Sequence, residues 1–201
     1  MIGKWNKSVI LTYFGLAISI LGIMLVLLDI NIKYTMICLI VAGICDLFDG
    51  TVARKCKRTK EEKEFGIQLD SLVDVISFIA FPLVILFSIN NSWYYAPIAI
   101  IYAIFGIARL AYFNIKTADS NKAVKTYIGL PVTLSAMIFP LVFLLSYLLK
   151  ESLFIIIYNV ITLLVAILFI LKINVPKPRL VSSIILLLIA IIVSIIYLFV
   201  V

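Results

Sequence analysis

Val9-Ile10-Leu11-Thr12-Tyr13-Phe14-Gly15-Leu16-Ala17-Ile18-Ser19-Ile20-Leu21-Gly22-Ile23-Met24-Leu25-Val26-Leu27-Leu28 is a run of 20 residues without a charge, preceded by Lys4 and Lys7. A helix that crosses a bilayer needs ~20 mostly apolar residues. The run is too long for the apolar core of a signal peptide and lacks a small-residue cleavage site, so it reads as a retained span. Working outward, comparable stretches fall near 34–54, 69–89, 94–115, 127–149, 152–171 and 180–200. Asp29 to Lys33, Asn90-Asn91-Ser92, Lys150-Glu151 and Pro176-Lys177-Pro178 supply polar or turn-prone breaks. Pro82, Pro97, Pro131 and Pro140 lie within spans, where membrane helices tolerate them as starts or kinks. The tail from Ile184 to Val201 reads as a lipid-facing helix.

Composition agrees. Of 201 residues, 65% are hydrophobic and 13% charged, against about 45–50% and about 25% in a soluble domain. A water-soluble globule, a disordered chain and a disulfide scaffold are excluded. The expected fold is all-α: a polytopic helical membrane bundle of about seven spans, one domain over 1–201, with 180–200 an additional carboxyl-terminal span. A formal charge of +7 here speaks for loops facing anionic lipid rather than for nucleic acid. Of 17 Lys and Arg residues, all but Lys33 and Lys150 fall in the amino terminus, the 54–64 loop, the 109–125 stretch (with Lys122 and Lys125) and the 172–179 loop. The positive-inside rule places those segments, and the amino terminus, in the cytoplasm. Cys38, Cys45 and Cys56 have no metal-type spacing and read as reduced thiols. With no histidine, acid–base chemistry falls to carboxylates, Lys, Tyr or Cys.

The second span is unusual. Tyr34 to Cys45 gives only 12 uncharged residues, so the helix reaches spanning length only by including Asp46-Leu47-Phe48-Asp49-Gly50-Thr51-Val52-Ala53-Arg54. The third span likewise begins with Gly66-Ile67-Gln68-Leu69-Asp70-Ser71-Leu72-Val73-Asp74. An acid at a helix centre costs ~2.5–3.5 kcal/mol on insertion scales, so four together call for a function. Asp46, Asp49, Gly50 and Ala53 share one helical face, and Gly66, Asp70 and Asp74 share another. Both glycines are expected to allow close helix approach. A loop of 11 residues, Lys55 to Phe65, lets the two faces meet. Converging carboxylates repel, and hard divalent cations such as Mg²⁺ or Mn²⁺ resolve the repulsion through oxygen ligands. Paired divalent metals are a common device of phosphoryl chemistry, and Arg54 adds a cation suited to phosphate. The alternative is a set of helix-end acids paired with the basic loop.

At these residues the chain resembles the CDP-alcohol phosphatidyltransferase family, whose signature is D-x-x-D-G-x-x-A-R, a spacer, then G-x-x-x-D-x-x-x-D. Asp46, Asp49, Gly50, Ala53, Arg54, Gly66, Asp70 and Asp74 supply every specified residue. The resemblance covers the first six spans. It implies transfer of a phosphatidyl-type group from a CDP-linked lipid, CDP-diacylglycerol or CDP-archaeol, to an alcohol, with release of CMP. It further implies that Asp46, Asp49 and Asp70 hold one divalent ion, that Asp46, Asp70 and Asp74 hold a second, and that Asp74 is the general base. Asp49, Gly50, Ala53 and Arg54 would line the CDP-lipid site, joined by Thr12 from the first span and Thr59 from the spacer. A homodimer is common in the family.

Arg109-Leu110-Ala111-Tyr112-Phe113-Asn114 resembles the R-L-A-R-F-N segment of the family's phosphatidylserine synthases, with Tyr112 replacing the second Arg. Tyr127 to Ala136 resembles their F-x-G-L-P-x-P-x-A segment, with Thr133 replacing the second Pro. The resemblance implies L-serine as acceptor. Arg109 can grip a carboxylate bidentately, and Asn114 lies near the same helix end, so both are candidate serine ligands. The alternative for Arg109 is a side chain that snorkels to a lipid phosphate. Glycerol 3-phosphate or inositol phosphate is the competing acceptor, although a phosphate would want a denser basic cluster. Intramembrane acids also serve cation- or proton-coupled transporters, but no acid occurs between Asp74 and Asp119, which leaves no carboxylate ladder to the far face.

Overall fold

The computed structural model describes residues 3–4, 6–90, 92–118, 126–176 and 180–199; Asn91, Lys122, Lys125, Lys177 and Pro178 lie outside them. Among the described residues eight α-helices follow one another: α1 (Ile10–Leu27), α2 (Ile32–Lys55), α3 (Lys60–Asp74), α4 (Phe81–Asn90), α5 (Ala96–Ala118), α6 (Ser135–Phe143), α7 (Glu151–Ile170) and α8 (Leu180–Phe199). A π-helical turn, Val75–Ala80, fuses α3 and α4 into one helix, Lys60–Asn90. Among the described residues, six helices are long and apolar enough to cross a membrane. The expected fifth span differs. Where 127–149 reads as one helix, the chain is helical only over Val132–Tyr147, with 3₁₀ turns on both sides of α6. Nine α and seven 3₁₀ residues reach about 28 Å, just under the ~30 Å hydrocarbon thickness.

The residues before it join a short antiparallel ribbon, β1 (Thr126–Ile128) with β2 (Asn174–Pro176), in which Tyr127 opposes Val175. Gly129 ends β1 at φ +77°, and a Cβ there would lie 2.5 Å from the Phe169 carbonyl oxygen. Only glycine suits both the left-handed backbone and the close approach. The Gly129 and Leu130 N–H groups donate to Ile173 and Leu168 carbonyls at 2.9 Å, fixing the start of the α6 segment against the end of α7.

Packing inverts the soluble pattern. The buried residues of α1 are Thr12, Gly15, Ser19 and Gly22, while Ile10, Phe14, Ile20, Leu21 and Met24 are exposed. Lipid tails are as apolar as leucine, so membrane helices associate through small and polar residues that let backbones close up. α1 lies along α2 in this way. A Cβ on Gly15 would stand 3.1 Å from that of Cys45, and one on Gly22 would collide with the Phe81 ring and approach Cys38 at 2.9 Å. Gly43 of α2 similarly meets Ala136 of α6. Close approach thus falls to Gly15, Gly22 and Gly43 and not, as expected, to Gly50 and Gly66, whose added Cβ atoms would meet nothing nearer than 3.7 and 3.8 Å. α8 packs on α2 and α6. Its Ala190, Val193 and Tyr197 are buried, and the Tyr197 hydroxyl donates to the Pro140 carbonyl at 2.6 Å, so the tail is only partly lipid-facing. Cys38, Cys45 and Cys56 are free thiols.

Replacing Gly22 by Leu should overpack the α1–α2–α4 junction by about 1–3 kcal/mol. The thermal midpoint in detergent is expected to fall by roughly 3–10 °C. An unchanged midpoint would show that Phe81 and Cys38 move aside without cost.

Candidate active site

The acid-bearing end of the bundle is assembled by local signals. Asn31 caps α2 by accepting from the Lys33 N–H. Thr59 caps α3 in a reciprocal box: its hydroxyl accepts from the Glu62 N–H at 3.2 Å, and Glu62 accepts from the Thr59 N–H at 2.7 Å. α3 therefore starts at Lys60, nine residues before the expected span. The amino-terminal segment closes over this corner. Asn6 donates to the Lys57 carbonyl and to Glu62, and Lys4 pairs with Glu61 at 2.7 Å. The Glu61 carboxylate, by hydrogen bond and charge, holds the Lys4 ammonium above its usual pKa.

Inside this corner the α2 and α3 faces meet as the helical spacing requires. Asp46, Asp49 and Asp70 each offer a carboxylate oxygen within 4.8 Å of the others. Asp74 lies outside that triad but its side chain meets that of Asp46, as Asp70 meets Asp49. Asp49 and Asp74 are buried, Asp46 and Asp70 half-buried. The Thr12 hydroxyl donates to Asp49 Oδ2 at 3.2 Å, so this threonine faces the acids instead of bonding back to its own helix. A small cavity is lined by these groups together with Gly15, Cys45 and Ser77. All-oxygen donors converging at this spacing fit a hard divalent cation.

α5 brings the one buried cation among the described residues. Arg109 is 8% exposed, acts electrostatically on Asp46 and Asp74, and stacks over the Phe113 ring at 5.1 Å. This guanidinium faces the acids, not the lipid surface. Asn114 is tied to Ser71, its amide donating at 2.7 Å, so α5 grips α3 one residue beyond Asp70. Gly50 and Arg54 lie on the exposed end of α2, with Arg54 Nη2 donating to Thr51 at 2.9 Å. A Cβ on Gly50 would meet only the Arg54 guanidinium, at 3.7 Å, and Ala53 is half-buried beside it. Thr59 has a structural duty as the α3 cap, which its T-x-x-E setting signals. Ser71, Ser77, Tyr102 and Ser135 also support this region, and sequence reasoning passed over them as isolated polar residues in apolar spans. A second cavity lies between α2, the α6 segment and α8. Its lining includes Asp46 and the apolar walls Ile40, Leu47, Met137, Leu186 and Leu187.

The chain is similar to several curated proteins. A CDP-diacylglycerol–serine O-phosphatidyltransferase of Helicobacter pylori is 34% identical over 130 residues, which cover 63% of this chain and 53% of the relative. An archaetidylserine synthase of Methanothermobacter thermautotrophicus is 33% identical over 112 residues, 55% of this chain and 46% of the relative. A CDP-diacylglycerol–serine O-phosphatidyltransferase of Methanocaldococcus jannaschii is 39% identical over 95 residues, 47% and 43% respectively. The chain spans about half the length of the curated relatives it matches. The model of one family runs from residue 5 to residue 200, through α8 and so beyond the six spans of the sequence resemblance. With its eight signature residues on two helices that meet, the chain belongs to the CDP-alcohol phosphatidyltransferase family.

Proposed function

We propose that the protein is a membrane enzyme that transfers a phosphatidyl or archaetidyl group from CDP-diacylglycerol or CDP-archaeol to the hydroxyl of L-serine, releasing CMP. The carrying observation is the convergence of Asp46, Asp49, Asp70 and Asp74 beside a buried Arg109. Asp46, Asp49 and Asp70 would hold one Mg²⁺ or Mn²⁺ ion, and Asp46, Asp70 and Asp74 a second. Bound there, the ions would neutralise and polarise the diphosphate. Gly50 leaves its backbone open to the nucleotide, with Ala53 and Arg54 beyond it, and Thr12 orients Asp49 at 3.2 Å. Thr59 is the weakest member of this set because its hydroxyl already caps α3. The apolar cavity between α2 and α8 suits one lipid chain, acyl or isoprenoid. Arg109 would receive the serine carboxylate. Asp74 would take the hydroxyl proton as oxygen attacks the lipid-side phosphorus, and CMP would leave with the bridging oxygen. The domain over 1–201 would act as a multi-pass cell-membrane protein, with the homodimer of its family. CMP release from purified protein, with each CDP-lipid and with serine, glycerol 3-phosphate or inositol phosphate, tests the reading. Preference for a phosphorylated alcohol would overturn the serine assignment.

Asp74→Asn retains shape but cannot accept the proton. Its kcat should fall by ~10²–10⁴ while CDP-lipid still binds in a divalent-metal-dependent manner. Near-normal kcat would remove Asp74 from proton transfer. Loss of metal-dependent binding would make it chiefly a ligand.

Arg109→Lys replaces a planar two-point donor by a point charge. The KM for serine is expected to rise at least tenfold more than that for CDP-lipid. An equal rise in both would assign Arg109 to balancing Asp46 and Asp74.

The charge bias further places the 54–64 loop, and with it the site, on the cytoplasmic side. In a chain whose native cysteines are replaced, Lys57→Cys should resist an impermeant thiol reagent in sealed cells and react after lysis. Ready labelling of intact cells would reverse the orientation.

A further inference from the structure

The helix carrying Asp70 and Asp74 is not a continuous α-helix. The Val75 N–H still bonds the Ser71 carbonyl four residues back, whereas the Phe81 N–H bonds Ile76, five back. The next residue is Pro82, which has no N–H. In an α-helix its donor would serve the Phe78 carbonyl, and Phe78 is 1% exposed. Away from water an unserved carbonyl is costly, and neighbouring side chains must supply it. Two do so here. The Tyr102 hydroxyl of α5 donates to the Phe78 carbonyl at 2.8 Å, and the Ser135 hydroxyl of α6 at 3.3 Å. Ser77, within the same turn, hydrogen-bonds Ser19 of α1 at 2.7 Å. Three helices thus hold one turn, immediately after Asp74.

The turn sets the angular phase of the span. One extra residue in the ladder rotates whatever follows by ~100° relative to an unbroken α-helix. With that rotation, Phe81, Pro82, Ile85, Leu86 and Asn90 are buried on the same side as Asp74, Ser77 and Phe78. Without it, the two buried faces would diverge by about that angle. The lower half is locked in the core and through the Asn90–Asn159 amide pair, so the mismatch would fall on the upper half and swing Asp70 and Asp74 away from α2. π turns of this single-insertion kind occur often at functional sites.

We propose that Pro82, Tyr102 and Ser135 are positioning residues that maintain the π turn Val75–Ala80 and thereby aim Asp70 and Asp74 at Asp46 and Asp49. The inference rests on the reading of these aspartates as a metal-dependent transferase site, but its register component is independent of that reading. Pro82→Ala restores the missing donor and lets the turn relax to α. In a protein free of native cysteines, Ser71→Cys with Asn114→Cys should cross-link under mild oxidation, and adding Pro82→Ala should slow this at least tenfold. In the parent background, Pro82→Ala should weaken Mn²⁺ binding at least tenfold and, at saturating Mn²⁺, lower kcat for CMP release at least tenfold while leaving the KM for CDP-lipid within threefold. Tyr102→Phe with Ser135→Ala should act in the same direction, and Tyr102→Phe with Ser135→Thr, which keeps one hydroxyl, should recover. A merely structural role would lower the thermal midpoint and leave cross-linking and Mn²⁺ affinity of the folded protein unchanged. Pro82→Ala protein that cross-links and binds Mn²⁺ like its parent overturns the proposal. If Pro82→Ala does not fold, the Tyr102 and Ser135 variants decide by the same two readouts. If the parent neither binds Mn²⁺ nor releases CMP, the function fails and the cross-link alone decides the register.

Discussion

Four carboxylates must be carried into a bilayer on two successive helices and brought within a few ångströms of each other, and most of the bundle is organised around that requirement. Oxygens of Asp46, Asp49 and Asp70 cannot come within 4.8 Å unless α2 and α3 face each other at short range. α1 makes this possible by packing on both with its small side. Gly15 admits Cys45, one residue before Asp46, and Gly22 admits Phe81 below the π turn. Thr12, on the same side of α1, gives Asp49 a donor. α5 then supplies Arg109, a buried positive charge that acts on Asp46 and Asp74 where water is scarce.

This arrangement explains why the large residues of α1 are outside. In water, burying Ile10, Phe14 and Leu21 would drive folding; in lipid they gain little from leaving the surface. What stabilises the bundle is contact between backbones and satisfaction of polar groups. The buried polar bonds follow that logic. Asn90 and Asn159 exchange amide hydrogen bonds across α4 and α7, and Tyr197 reaches the Pro140 carbonyl. Each ties a helix to a neighbour distant in sequence without a large apolar interface.

The parts governed by helical period were legible in the sequence. Asp46 and Asp49, and Asp70 and Asp74, each fall on one face because three and four residues make one turn, and a run such as Val9–Leu28 leaves few alternatives to a span. The parts governed by contacts between distant segments were not. Tyr127 sits in an apolar stretch and reads as helix, yet its backbone pairs with Val175, which no local pattern announces. Pro82 could be read as a kink; that it produces a π turn depends on Tyr102 and Ser135 being present to receive the freed carbonyl. Thr59 was legible as a helix start, since T-x-x-E is a capping signature, and its hydroxyl serves that cap. Arg109 could have faced lipid phosphate or the acids, and only the packing of α5 decides.

Depth gives the site its last constraint. Asp46 lies eight residues from Arg54 and Asp74 fourteen from Lys60, or ~12 Å and ~21 Å along their helices. The headgroup zone outside the hydrocarbon is only ~5–8 Å thick on each side. The acids therefore stand below the charged loops, at or beneath the level of lipid phosphates. A diphosphate carried on a lipid can reach that level while its chains remain in hydrocarbon, and the apolar walls of the α2–α8 cavity include Asp46 in the same lining. A free nucleotide would have to leave water for the same position without burying any chain in return. The placement of the aspartates thus favours a donor held by its tails over one held by its base.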